Sequence, residues 1–133
     1  MSIQYREDAL RRPLERLHQR LPEAVGSVIV DTAGLLVTAY PPGNDSDSPT
    51  GGDQVAAMAS VLLGLAGQTL GRLAQGGVGR VLVEADLGIL VVAPATRDAA
   101  LAVLIGKHAK VGLALVAIRR CAEEITAILE EFT

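Results

Sequence analysis

The chain is 133 residues long and has no tryptophan, two tyrosines, one phenylalanine and one cysteine. With so few rings, a packed interior must be built from Val, Leu, Ile and the many Ala, since half of all residues are apolar. A lone Cys121 excludes an internal disulfide and fits a reducing compartment. Basic residues number 12 against 15 acidic, a formal charge of -3. That balance offers no basic stripe, and stacking aromatics are missing, so nucleic acid is not an expected partner. Charge is also absent locally: Gln54 to Gly71, QVAAMASVLLGLAGQTLG, carries none. No secretory leader is expected, because Arg6, Glu7, Asp8, Arg11 and Arg12 occupy the place of an apolar region.

What is present reads as one domain spanning 1–133, long enough to bury a core. Leu10, Leu14, Leu17 and Leu21 recur at helical spacing over 4–21, with Pro13 as a kink or a first-turn residue. VGSVIVD, a three-residue turn Thr32-Ala33-Gly34 and LLVTAY read as a hairpin, with Gly34 at the φ > 0 position. PPGNDSDSPTGG, 41–52, reads as a flexible surface loop. Asp53 is placed to cap a helix that runs to about Gln75, stopped by Gly76 and Gly77.

GRVLVEA and LGILVVA then flank a turn at Asp86, and AALAVLIG follows the loop PATRD. Their apolar residues are consecutive, which calls for cover on both faces of the sheet. The spacing of Leu115, Ile118, Ala122, Ile125, Leu129 and Phe132 predicts a last helix over about 111–131, with Arg119–Glu123 and Arg120–Glu124 as i, i+4 pairs on its outer side. The order α-β-β-α-β-β-β-α with short β-β links predicts an antiparallel five-stranded sheet in a three-layer α/β/α sandwich.

The uncharged segment divides by face at about 100° per residue. Val55, Met58, Leu62, Leu65 and Leu73, flanked by Leu63 and Leu70, form a large sector expected to lie on the sheet. Ala57, Ser60, Gly64, Gly67, Gly71 and Ala74 form an opposite seam of small residues. Helical glycines oppose folding by about 0.8–1 kcal/mol each relative to alanine, so a close neighbour must offset them. With the other two helices assigned to the far side of the sheet, that neighbour is expected to be the same helix of a second copy, making a homodimer. The alternative is that the glycines face the chain's own sheet and the large residues meet something else. A narrow edge carries Gln54, Gln68 and Arg72, with Val61 among them.

GSVIVDTAGLLVTA, AAMASVLLGLAGQTLGRL, VLVEADLGILVVAP and GLALVAIRRCAEEI, in this order, resemble the roadblock family, the dynein light-chain type that includes bacterial MglB-like regulators. The resemblance spans roughly 10–130 and departs at Pro13 and at the long acidic loop 41–52. It implies a roadblock-like α/β/α sandwich that dimerises through its middle helix and third strand, here Val81, Leu82, Val83 and Glu84. It further implies a cytoplasmic, non-enzymatic scaffold or regulator that accompanies a small Ras-like GTPase. Gln54, Val61, Gln68 and Arg72 would then be partner-facing.

Catalytic patterns are not legible. LIGKHAKVG lacks the earlier glycine and the Ser/Thr of a phosphate loop, and Gly64, Gly67 and Gly71 do not form a dinucleotide motif. Asp45, Asp47 and Asp53 lack calcium-loop order, and His18 and His108 lack further ligands for zinc, so no metal and no cofactor are expected. Arg72 and Arg80 raise an arginine finger without a reason to prefer either. The function that the resemblance implies is GTPase scaffolding. A GTPase-activating protein and a small-ligand sensory domain with a pocket between helix and sheet remain as alternatives.

Overall fold

The computed structural model describes residues 3–42 and 51–131. The expected loop 41–52 lies mostly outside these residues, as do Phe132, Asp45 and Asp47. The elements are α1 (Ile3–Arg20), β1 (Ala24–Asp31), β2 (Leu36–Tyr40), α2 (Gly52–Arg72), β3 (Val81–Glu84), β4 (Gly88–Thr96), β5 (Ala99–Gly106) and α3 (Val111–Glu131). The five strands form one antiparallel sheet in the order β2-β1-β5-β4-β3. This is the expected three-layer sandwich.

Consecutive apolar residues do divide between two faces. Ile29, Val91, Leu101, Val103 and Ile105 face α1 and α3, where Leu10, Leu14, Leu17, Ile118 and Ile125 complete the larger core. Val28, Val30, Val92, Ala100 and Ala102 face α2 and meet Ala56 and Ala59. Each fully buried Leu or Ile of the first core contributes about 1.5–3 kcal/mol by leaving water. The second core is thinner, because its side chains are smaller.

The helix pair is fastened across its seam. Arg16 and Arg20 both reach Glu124, at 2.9 and 3.3 Å. These partly exposed pairs each contribute at most about 1 kcal/mol. Pro13 lies inside α1, and its carbonyl accepts a long bond from the buried Cys121 Sγ at 3.5 Å.

The first hairpin turns as expected. Asp31 N donates to Leu35 O at 3.0 Å, enclosing Thr32, Ala33 and Gly34, and Gly34 has φ +83°. The Asp31 carboxylate accepts from the Ala33 and Leu35 amides at 2.9 and 3.0 Å, which holds the tight loop.

Three boundaries differ from expectation. Gly51, not Asp53, is the N-cap of α2, and Asp53 stands in the first turn, where its charge still suits the helix dipole. A side chain on Gly52 would come within 2.9 Å of Leu36, so a glycine lets the helix start lie close on β2. The helix ends at Arg72 rather than near Gln75. Ala74 takes φ 56°, Gln75 N donates to Leu70 O and Ala74 N to Gly71 O, closing the carbonyl end two residues before Gly76. Finally, β4 runs through Pro94 to Thr96, where a loop was expected. Pro94 pairs with Ala100 on β5, and β3 reaches only as far as Val92, so proline's missing N–H faces an edge that needs no donor.

Candidate functional site: the outer face of the middle helix

The strands beneath α2 carry alanine and valine, so the helix descends onto them through its own small residues. Gly52, Ala56 and Ala59 are its buried positions. Val55, Leu62 and Leu63 pack at the margins of this contact. The large sector expected on the sheet is therefore divided. Met58, Leu65 and Leu73 point outward, with 53%, 60% and 61% of their surfaces exposed. Their size is the reason: they would hold the helix away from Val28, Ala100 and Ala102. The segment is not a buried helix. Its length and composition would also suit a membrane span, but it is seated along the sheet through Ala56 and Ala59.

The small seam is divided too, which corrects the expectation of one continuous face. Ser60 Oγ donates to Thr32 O at 3.2 Å, and an added Cβ on Gly34 would touch Ala57 and Ser60. That end of the seam therefore lies beside the first hairpin turn. Gly67 is half-buried, with Val78 its nearest neighbour. Gly64 and Gly71 are exposed, and a Cβ on either would meet nothing within 4 Å. Packing within the protomer requires glycine at neither. Ala74 is exposed beyond the helix end.

The four edge residues come together. Gln54, Val61, Gln68 and Arg72 are all exposed and share one ridge at four- and seven-residue spacing, with Val61 69% exposed. Met58 and Leu65 adjoin this ridge, an apolar neighbour that the sequence had assigned to the core. Arg72 makes no ion pair among the described residues. Arg80 is elsewhere, in a groove with Arg119 and Glu123 of α3.

β3 stands at the sheet edge beside this face. Val81 packs with the α2 core, while Leu82, Val83 and Glu84 are exposed. Val83 pairs with Leu90, and Leu90 with Leu104. Cross-strand partners share a face, so these three form a row on the α2 side. Val83 and Leu104 at its two ends remain exposed. The outer helix face, this row and the edge of β3, unpaired among the described residues, make one largely apolar surface.

Reactive chemistry is sparse. Burial raises the Cys121 thiol to about 12, aided by the Glu124 charge, so it stays protonated. His18 lies between α1 and the sheet, with Nε2 at 2.9 Å from Ser27 Oγ and its ring 4.4 Å from that of Tyr40. No group of three His, Cys, Asp or Glu side chains among the described residues could hold a metal.

Residues 13–105 match the family profile of the Roadblock/LC7 domain. No curated protein matches the chain. Among solved structures, a Roadblock/LC7 domain from Streptomyces avermitilis is 30% identical with a TM-score of 0.78, covering 87% of this chain and 93% of that one. MglB from Myxococcus xanthus superposes with a TM-score of 0.83 at 16% identity, over 96% of this chain and 92% of that one. An MglB in a tetrameric arrangement does so at 0.83 and 17% identity, over 95% and 91%. At those lower identities the likeness is one of fold.

Proposed function

The chain belongs to the Roadblock/LC7 domain family, and from that membership we propose that it is a self-associating, non-enzymatic scaffold in the cytoplasm that binds a small Ras-like GTPase. The observation that carries this reading is the exposed apolar surface along α2 and the edge of β3. Surfaces of this kind mark interaction sites. An open strand edge invites pairing with another chain.

A second copy would pair its β3 with this one through Val81, Leu82, Val83 and Glu84, and would cover Met58, Leu65 and Leu73. Of the small seam, Gly71 and Ala74 are exposed at the end of α2 and would permit close approach there. Ala57, Ser60, Gly64 and Gly67 are turned toward the hairpin, the cavity beside it and Val78, and lie outside the proposed contact. The ridge Gln54, Val61, Gln68 and Arg72 would face the GTPase. Selecting one switch state there would shift the GTPase population by the difference in affinity for the two states.

The test mixes this protein with a co-encoded Ras-like GTPase loaded with GDP or with a GTP analogue. Co-migration in one nucleotide state, lost on Val61→Glu, is the expected result. No co-migration in either state overturns the GTPase reading. The exposed, unpaired Arg72 keeps an activating role in view. A GTP turnover rate unchanged by saturating protein removes it, and a rise abolished by Arg72→Ala establishes it.

A further inference from the structure

A cavity of about 480 Å³ opens between α2, the β1–β2 turn and the β4–β5 turn, within the size range of small-molecule sites. Its apolar walls include Val30, Leu63, Val78 and Ala100. Asp31 and Arg97 line the same cavity. We propose that this cavity binds a small zwitterion with an aliphatic side chain, of the free amino acid class, its ammonium on Asp31 and its carboxylate on Arg97.

The two turns that carry these charges are locked in place. Thr32 N donates to Asp98 O at 3.2 Å, and Ser60 ties the first turn to α2 through Thr32 O. Asp31 is held by the Ala33 and Leu35 amides, both on Oδ1, which leaves its other oxygen to accept from a ligand. Arg97 makes no ion pair among the described residues, so carboxylate and guanidinium share the cavity without neutralising each other.

A ligand with one charge would engage one of the two groups and leave the other to water. A zwitterion answers both, and a guanidinium suits a carboxylate bidentately. Its aliphatic side chain would lie on Val30, Leu63 and Ala100. Gly64 also lines the cavity, and a Cβ there would meet nothing within 4 Å, so the missing side chain keeps the opening clear. This site lies outside the proposed self-association surface and does not depend on it.

The test is an amide NMR titration of the full chain with L-leucine. Saturable shifts centred on Leu63, Gly64, Ala99 and Ala100 are expected at millimolar leucine. Binding should weaken about tenfold in Arg97→Gln and in Asp31→Asn, each of which removes one charge-assisted bond. Arg97 is exposed, so its variant keeps the fold, and Asn retains an Oδ1 for the turn amides. 4-Methylpentanoate, without the ammonium, and isopentylamine, without the carboxylate, should bind more weakly than leucine. Absence of saturable shifts at these amides overturns the proposal. So does binding indifferent to Arg97→Gln, or equal binding of either singly charged analogue.

Discussion

His18 illustrates how one residue records its surroundings. It leaves α1 toward the sheet and lies against Ser27 and Tyr40, half-buried. Burial lowers its pKa below the usual 6.5, because the imidazolium loses water, and a backbone hydrogen bond at Ala24 offsets only part of this. The unfolded chain therefore takes up this proton at a higher pH than the folded one. The stability linked to His18 is full above pH 6.5 and is lost as the pH falls from there through the lower folded value. Denaturation midpoints measured from about pH 7.5 down to about pH 5.5 should fall in the native protein, and fall less in His18→Gln. Equal slopes in the two proteins would show that the ring is as free to protonate when folded as when unfolded. The sequence placed His18 on the first helix but carried no sign of this contact, which joins residues from α1, β1 and β2.

At the scale of elements, legibility followed periodicity. The bounds of α3 were readable because one apolar stripe faces one partner. Of the two charged pairs expected on its outer side, Arg119–Glu123 forms at 3.5 Å, whereas Glu124 turns from Arg120 to Arg16 and Arg20 of α1. The β1–β2 turn was readable because the position of Gly34 admits few alternatives. The facing of α2 was not. A helix apolar on all sides carries no periodic signal for orientation, and size misled: the sheet below has short side chains, so the alanines face it. The end of α2 was misplaced for a related reason. Ala74 adopts a left-handed conformation more usual for glycine, at a cost of about 1–2 kcal/mol, ahead of the Gly76-Gly77 pair. The two exposed glycines of α2 now have separate roles, Gly64 at the cavity and Gly71 at the proposed contact. Gly71→Ala adds a methyl where the protomer has open space. It should raise monomer stability by up to about 1 kcal/mol through helix propensity. If a second backbone lies close, the same change should weaken self-association. Denaturant titration at low concentration together with sedimentation at high concentration reads both effects. A stabilised variant with unchanged self-association would place Gly71 outside the contact.

Over the whole molecule, the two layers on the sheet are unequal. Two helices close one face with leucine and isoleucine, whereas α2 alone covers the other through alanine and leaves large side chains outside. Single exposed apolar residues are ordinary; their continuity with an unpaired strand edge is not. Leu113 on α3 provides a comparison, since it is 66% exposed against 60% for Leu65 and lies in the opposite layer. If the α2 layer is completed by a second copy, Leu65→Glu buries a carboxylate without a partner and should shift the mass in solution to that of the monomer. Leu113→Glu should leave the mass unchanged. Because the proposed contact is mainly apolar, added salt should not dissociate the native assembly, unlike one held by surface charges. Light scattering after size exclusion, at low and high salt, distinguishes the outcomes. Monomeric native protein, or a Leu65→Glu protein of native mass, would remove α2 from the self-association surface and leave its exposed apolar side chains for a different partner.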